Sequence, residues 1–177
     1  PPRFRAEELV IRFRHAKYFL SSDAYKAYRQ LVLDVLSRPV LAVWTPIGLI
    51  QPTRMVFGHM NAGTELSAVL SKMINMDPAL ADDMANFADD FLGGSSTIPT
   101  LFDLTRAFFQ ACRKNDITLK PKKTRIGYNS AQFVGYVIAD GRVRVADDNL
   151  KPIRSVAAPR DKSEVRRVLG LFNMSSR

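Results

Sequence analysis

The chain is poor in the residues that build disulfides and zinc sites. Among 177 residues there is one cysteine, Cys112, so no internal disulfide forms and no cysteine-based metal site exists. That favours a reducing, intracellular setting. The two histidines, His15 and His59, share no ligand spacing, which argues against a histidine-rich zinc centre. No stretch approaches the roughly 18 uninterrupted apolar residues of a membrane span, so no membrane partner is expected. The amino terminus, PPRFRAEELVIRFRH, has neither an apolar signal core nor a starting methionine, and it reads as a piece of a longer polypeptide. Internal repeats and low-complexity tracts are absent as well.

What is present is a globular composition with a lopsided charge. Hydrophobic residues make up 46% of the chain, enough to bury a core. The net charge is +9, but residues 1–104 carry 10 Lys/Arg against 11 Asp/Glu, and residues 105–177 carry 16 against 6. A basic half beside a near-neutral half points either to a polyanion such as nucleic acid or to a solvated basic face.

Periodicity gives the elements. RAEELVIRF has helical spacing with Leu9, Val10 and Phe13 on one side, and AKYFLSS reads as a strand ending at Asp23. AYKAYRQLVLDVL is ambiguous between helix and strand. RPVLAVWTPIGLIQPTRMVF reads as two β segments around the turn TPIG. NAGTELSAVLSKMINM predicts a helix facing inward with Leu66, Val69, Leu70 and Met73. DMANFADDFLGG reads as strand, tight turn, strand. TLFDLTRAFFQACRKND predicts a helix with Leu101, Leu104, Phe108 and Cys112 on one face. ITLKPKKTRIG, AQFVGYVIAD and GRVRV read as three strands, and KSEVRRVLGLF as a last helix. Helices and strands interleaved with hairpin-like joins predict an α+β fold with a mainly antiparallel sheet.

Asp-Asp occurs three times. Asp82-Asp83 reads as a loop before a strand, and Asp147-Asp148 as a helix start with carboxylates near the amino-terminal dipole. Asp89-Asp90 differs, because Phe87-Ala88 and Phe91-Leu92 flank it with strand-like residues. Paired carboxylates in such a place need either a cation or a surface turn. Asp23, at the end of another apolar run, is a third carboxylate on a strand end. Two strand-borne acidic sites that meet in a sheet suit hard divalent cations, which take oxygen ligands and support in-line displacement at phosphorus.

The order of these segments resembles a known family. AKYFLSSDAYKAYRQL is similar to AKYFSKLDLKSGYHQI of reverse transcriptases, and VWTPIGLIQPTRMVFGHMNAG to TTPFGxFEWLRMPFGLKNAP. FADDFLGGS resembles YLDDILVFS, and ITLKPKKTRIGYNSAQFVGYVIADGRVRVADDNLKPI resembles LKLNPKKCEFGxxxVEFLGHVISxxGIxPDPEKVxAI. PRDKSEVRRVLGLFN resembles PxTVKELRSFLGLAN. The resemblance is to the reverse transcriptases of gypsy-type LTR retrotransposons and retroviruses, and it runs along nearly the whole chain. It implies a right-hand polymerase: a palm with partial fingers over residues 1–145, including a finger-like insertion at about 33–56, and the start of a thumb over 146–177.

The same resemblance implies an RNA-directed DNA polymerase acting through two Mg²⁺ ions, with Mn²⁺ as a substitute, held by Asp23, Asp89 and Asp90. Its partners would be an RNA or DNA template with a DNA primer, and deoxynucleoside triphosphates; RNase H and integrase would lie elsewhere in the same polyprotein. Ala24, Lys26, Ala27, Tyr28, Phe57 and Gly58 match nucleotide-binding positions, with Tyr28 placed to exclude a ribose 2′-hydroxyl. Lys122 and Lys123 match a basic pair, either of which could protonate pyrophosphate. Phe133, Val134, Gly135 and Tyr136 match the hairpin that grips the primer, and Lys162, Arg166 and Arg167 match a backbone-tracking face. The setting it implies is the cytoplasm or a virus-like particle, with the nucleus as a further compartment. The chain departs from the family at Phe87-Ala88 (usually Tyr-Leu), Val56 and Gly63 (usually Pro), Leu66-Ser67 (usually Phe-Gln) and Lys26-Ala27 (usually Ser-Gly). None removes a carboxylate; together they suggest a divergent or decaying element. The alternative is a palm that has lost catalysis and only binds nucleic acid.

Overall fold

The computed structural model describes residues 6–148, 159 and 161–175. Its centre is a four-stranded antiparallel sheet in the order β4-β5-β1-β6, built from β1 (Tyr18–Asp23), β4 (Met84–Phe87), β5 (Asp90–Ser95) and β6 (Arg125–Tyr128). Alternation along the two middle strands divides the interior. Leu20 and Phe91 point to one face, where helices α2 (Ala62–Asn75) and α3 (Ile98–Lys114) close a core of Leu66, Leu70, Leu101, Leu104 and Phe108. Phe19 and Leu92 point to the other, where α1 (Ala6–Ile11) supplies Val10 and Phe13 follows its end. A second antiparallel sheet, β7 (Ser130–Phe133), β8 (Tyr136–Ala139) and β9 (Arg142–Val145), adds Phe133, Tyr136 and Ile138 to that face. β2 (Val43–Thr45) and β3 (Gly48–Ile50) form a separate hairpin. The last helix, α4, spans Lys162–Ser175.

The α+β expectation holds, and three local expectations need correction. The stripe of α2 is Leu66, Leu70, Met73 and Ile74; Val69 is 44% exposed, because positions 66, 70, 73 and 74 already fill the face turned to the sheet. The segment 117–127 is a strand only from Arg125, since Pro121 has no N–H for a ladder and opens a 3₁₀ turn, Pro121–Lys123. AQFVGYVIAD is not one strand but a hairpin, broken at Val134-Gly135, where φ is +49° and +81°. Two central residues with positive φ make the turn that matches strand twist, and Asp140-Gly141 (+51°, +72°) repeats it before β9. The ambiguous segment after Asp23 forms neither long element; it runs through 3₁₀ turns at Ala27–Gln30 and Val35–Ser37. The helix start read at Asp147 leaves the described residues after 148. Among the described residues no helix is long and apolar enough to cross a membrane.

Candidate active site

The β4–β5 hairpin closes in two residues, Ala88 and Asp89, with Ala88 at φ +51°. That tight turn aims the aspartates differently: Asp89 lies in the turn, and Asp90 opens β5. The tip is tied to α2, because Ser71 Oγ donates to Asn86 Oδ1 (2.9 Å) and the Asn86 amide reaches the Ala88 carbonyl (3.4 Å). Asp90 is the Cα partner of Asp23 across the last step of the β1–β5 ladder. The Ala24 N–H donates to the Asp89 carbonyl at 2.8 Å, so the turn is stitched to the end of β1.

Asp23 is 5% exposed, and two lysines hold it. Lys123 Nζ donates to Oδ2 at 2.7 Å, and the Lys120 ammonium lies against Oδ1, an oxygen that is otherwise buried without a hydrogen-bond partner. Burial pushes the Asp23 carboxyl up, but the hydrogen bonds and charges of Lys120 and Lys123 outweigh it and hold the group below the ordinary carboxylate range. Lys123 is raised in turn, first by its hydrogen bond to Asp23. Asp90 is raised by loss of water in the cleft, then by the charges of Asp89 and Asp23, with Lys123 opposing. Ser22 and Thr124 share a hydroxyl hydrogen bond of 2.8 Å that fixes the segment carrying the lysines. Among the described residues no three His, Cys, Asp or Glu side chains gather as they would to hold a metal ion; Asp23 is turned onto the lysines instead.

Asp23 and Asp90 border an open cleft of about 580 Å³, lined also by Phe87, Lys122, Lys123, Arg125, Tyr128 and the tip Phe133–Gly135. Phe133 and Tyr136 are buried in the second core; Phe133 also lines the cleft together with Val134 and Gly135, whereas Tyr136 does not. Lys122 lines it without touching Asp23, whereas Lys123 touches both. On the other side of Asp23, Lys26 (φ +48°) opens the turn that carries Tyr28. The side chains of Ala24 and Ala27 face the main core, leaving only backbone for a ligand, and the Ala24 N–H is committed to Asp89. Tyr28 packs at the edge of that core, its ring 4.9 Å from the ring of Phe57, which is 65% exposed beside Gly58. Lys162 and Arg166 are exposed, one helical turn apart on α4; the side chain of Arg167 lies outside the described part. Sequence reasoning missed Lys120, Asn86 and Arg125. Lys120 had a signal, since it stands where the resembling run LKLNPKK has asparagine; the other two have meaning only through their contacts.

Asp23 and Asp90 thus stand opposite each other at the ends of adjacent strands of an α+β fold, at a cleft that the β7–β8 hairpin also lines. The sequence profile described as reverse transcriptase (RNA-dependent DNA polymerase) matches residues 2–138, and the chain belongs to that family. Among curated relatives, it is 25% identical over 174 residues to the retrovirus-related Pol polyprotein from transposon 412 of Drosophila melanogaster, covering 97% of this chain and 14% of that protein. It is 24% identical over 171 residues to the enzymatic polyprotein of Cauliflower mosaic virus (strain Strasbourg), covering 96% and 25%. The chain thus spans a quarter or less of these two relatives. The fold is that of the foamy viral protease–reverse transcriptase solved with double-stranded DNA, at a TM-score of 0.84 and 16% identity over 99% of this chain and 30% of that one. The same viral protein solved with an RNA/DNA hybrid superposes with a TM-score of 0.74 at 17% identity, covering 93% and 22%.

Proposed function

We propose that the chain is the palm-bearing part of an RNA-directed DNA polymerase from a retroelement polyprotein, adding deoxynucleotides to a DNA primer on an RNA or DNA template. The observation that carries this reading is the placement of Asp23 opposite Asp90, with Asp89 adjoining, at a cleft faced by the Val134-Gly135 tip. Residues 1–145 would be the palm with partial fingers, the finger-like insertion at 33–56 included, and 146–177 the start of the thumb. The chain would work inside the cell, in the cytoplasm or a virus-like particle, within a polyprotein that also carries RNase H and integrase.

The family normally uses divalent metals, and the donor set here suits a hard cation by its chemistry: carboxylate oxygens without thiolate or imidazole, those of Asp23 met at present by the Lys120 and Lys123 ammonium groups. Asp23, Asp89 and Asp90 would hold two Mg²⁺ or Mn²⁺ ions. Such ions, when bound, lower the pKa of the primer hydroxyl and steady the charge on the leaving pyrophosphate. The protein's own share is positioning and electrostatics. Tyr28, backed by Phe57, would lie under the sugar of the incoming nucleotide and exclude a 2′-hydroxyl. Gly58 would let the backbone approach the base, and the turn from Lys26 to Ala27 would face the phosphates. Phe133 and Tyr136 anchor the hairpin whose tip, Val134-Gly135, would hold the primer end. Lys123, bonded to Asp23, is better placed than Lys122 to pass a proton to pyrophosphate. Lys162, Arg166 and Arg167 would track the phosphate backbone.

A second reading has its own observation. The lysines that occupy Asp23 also suit a palm that binds nucleic acid without catalysis. Primer extension on an RNA template, by the chain in its polyprotein context with Mg²⁺, separates the two. Extension that Asp89→Asn abolishes, with binding to primer–template retained without metal, supports the polymerase. Binding without extension by the parent supports the second reading.

A further inference from the structure

We propose that Lys120 and Lys123 form a built-in counter-cation for Asp23 which a divalent ion must displace, so that Lys120 sets how readily the site takes metal. The inference rests on the metal-binding reading of Asp23. A buried carboxylate without a counter-charge is costly, and the fold meets that cost with two ammonium groups, one on each oxygen.

The two lysines are mounted differently. The segment before Lys120 is fastened to the extension of β1: the Tyr25 N–H donates to the Thr118 carbonyl, and the Lys120 N–H to the Asp23 carbonyl, both at 2.8 Å. Leu119 bridges Ala24 between them. The Lys120 side chain, 32% exposed, therefore starts from a fixed backbone directly beside its acceptor. Lys123 reaches in from the 3₁₀ turn and is 60% exposed. Lys122, between them in sequence, has no carboxylate partner among the described residues and supplies an internal comparison. A divalent ion on Asp23 needs the lone pairs that the ammonium groups now engage, and it is repelled by them at contact range. Metal and the Lys120 ammonium therefore compete for the same carboxylate. An asparagine at 120, as in the resembling run, would lack this competition. The displaced ammonium groups remain at the cleft, where phosphate oxygens are their natural acceptors.

The test is Mn²⁺ binding to the 177-residue chain, measured by electron paramagnetic resonance or calorimetry at about 0.15 M salt, where diffuse charge effects are largely screened. Lys120→Gln should tighten Mn²⁺ binding about tenfold, which is about 1.4 kcal/mol. Lys120→Met, which keeps the stem but not the charge, should do the same, with melting curves confirming that both fold. Lys122→Gln removes an equal charge without the contact and should change affinity less than about twofold, as expected for an exposed charge. If Lys120→Gln and Lys122→Gln tighten equally, or neither does, the displacement proposal is wrong while the metal site stands. If neither the parent nor Lys120→Gln binds Mn²⁺, or the parent's binding is unchanged in both Asp23→Asn and Asp90→Asn, the metal reading fails and takes the proposal with it.

Discussion

The ring of Tyr28 lies 4.9 Å from that of Phe57, tilted by 59°, and the two join a 3₁₀ turn after β1 to the segment before α2. Nothing in local sequence pairs them; they are 29 positions apart. Tyr28 leans on the core, and Phe57 covers its open side.

This pair sets the first prediction. On the proposed placement of Tyr28 under the sugar, Tyr28→Val should raise the use of ribonucleotides relative to deoxynucleotides by about tenfold or more, because a clash with the 2′-hydroxyl would go. Phe57→Ala should act in the same direction but less, since the tyrosine ring stays and only its support is lost. Competition between the two nucleotide types in primer extension measures both. An unchanged preference in an active Tyr28→Val variant would reduce Tyr28 to a packing residue.

The second prediction concerns the charge split. Reversing Lys162, Arg166 and Arg167 to glutamate should weaken binding to primer–template and flatten its salt dependence. Each lost phosphate contact lowers the log–log slope by about 0.9 on B-form duplex. Asp89→Asn should leave metal-free affinity equal or slightly higher. A salt series on both variants checks this. An unaltered slope in the triple variant would make α4 a solvated basic face.

Gly94 supplies a stability prediction. A Cβ there would lie 2.8 Å from the Ala16 Cβ and 2.9 Å from Phe13 Cδ1, because the turn after α1 packs directly on β5. Gly94→Ala should cost about 1–3 kcal/mol by overpacking. Gly93→Ala should cost less, since its nearest neighbours are the side-chain carbons Leu104 Cδ2 at 3.2 Å and Met84 Cγ at 3.3 Å. Denaturant midpoints of the two variants give the comparison.

Cys112 predicts a pH effect. Burial pushes its thiol from 9.0 up to about 12. The folded value is the higher one, so between these limits the native chain binds more protons than the unfolded chain. The contribution is fully present below pH 9 and falls as pH rises toward 12, by at most about 1.4 kcal/mol per unit. Cys112→Ala should flatten that alkaline loss, seen in urea melts from pH 8 to 10.5. Native Cys112 should also react slowly with thiol reagents at pH 8, where its thiolate is scarce.

Much of this was legible in the chain, for reasons that differ by element. β1 and its terminal Asp23 were readable because an apolar run ended in a charge. The stripe Leu101, Leu104, Phe108 and Cys112 was readable because α3 buries one face throughout its length. Val69 misled because periodicity marks a stripe but not its width. AQFVGYVIAD misled because Val134 is a β-branched residue in a left-handed turn, which local preference disfavours. The pairing of Phe133 with Tyr136, the packing of both into the second core and the Ala146 N–H donated to the Gly135 carbonyl at 2.8 Å offset that conformation.

The sequence by itself determined the α+β class, most of the run of elements and the family, because amphipathic periods and an ordered set of motifs are properties of the chain read in order. The tertiary structure alone decided that Asp23 faces Asp90, that Asp23 is buried under Lys120 and Lys123, and that Tyr28 meets Phe57. Those relations join residues 67, 97, 100 and 29 positions apart, and no local propensity encodes them. They follow from the antiparallel register of β1 with β5, from the backbone bonds that lay Thr118–Lys120 along the end of β1, and from the packing that returns the chain beside Tyr28 before α2.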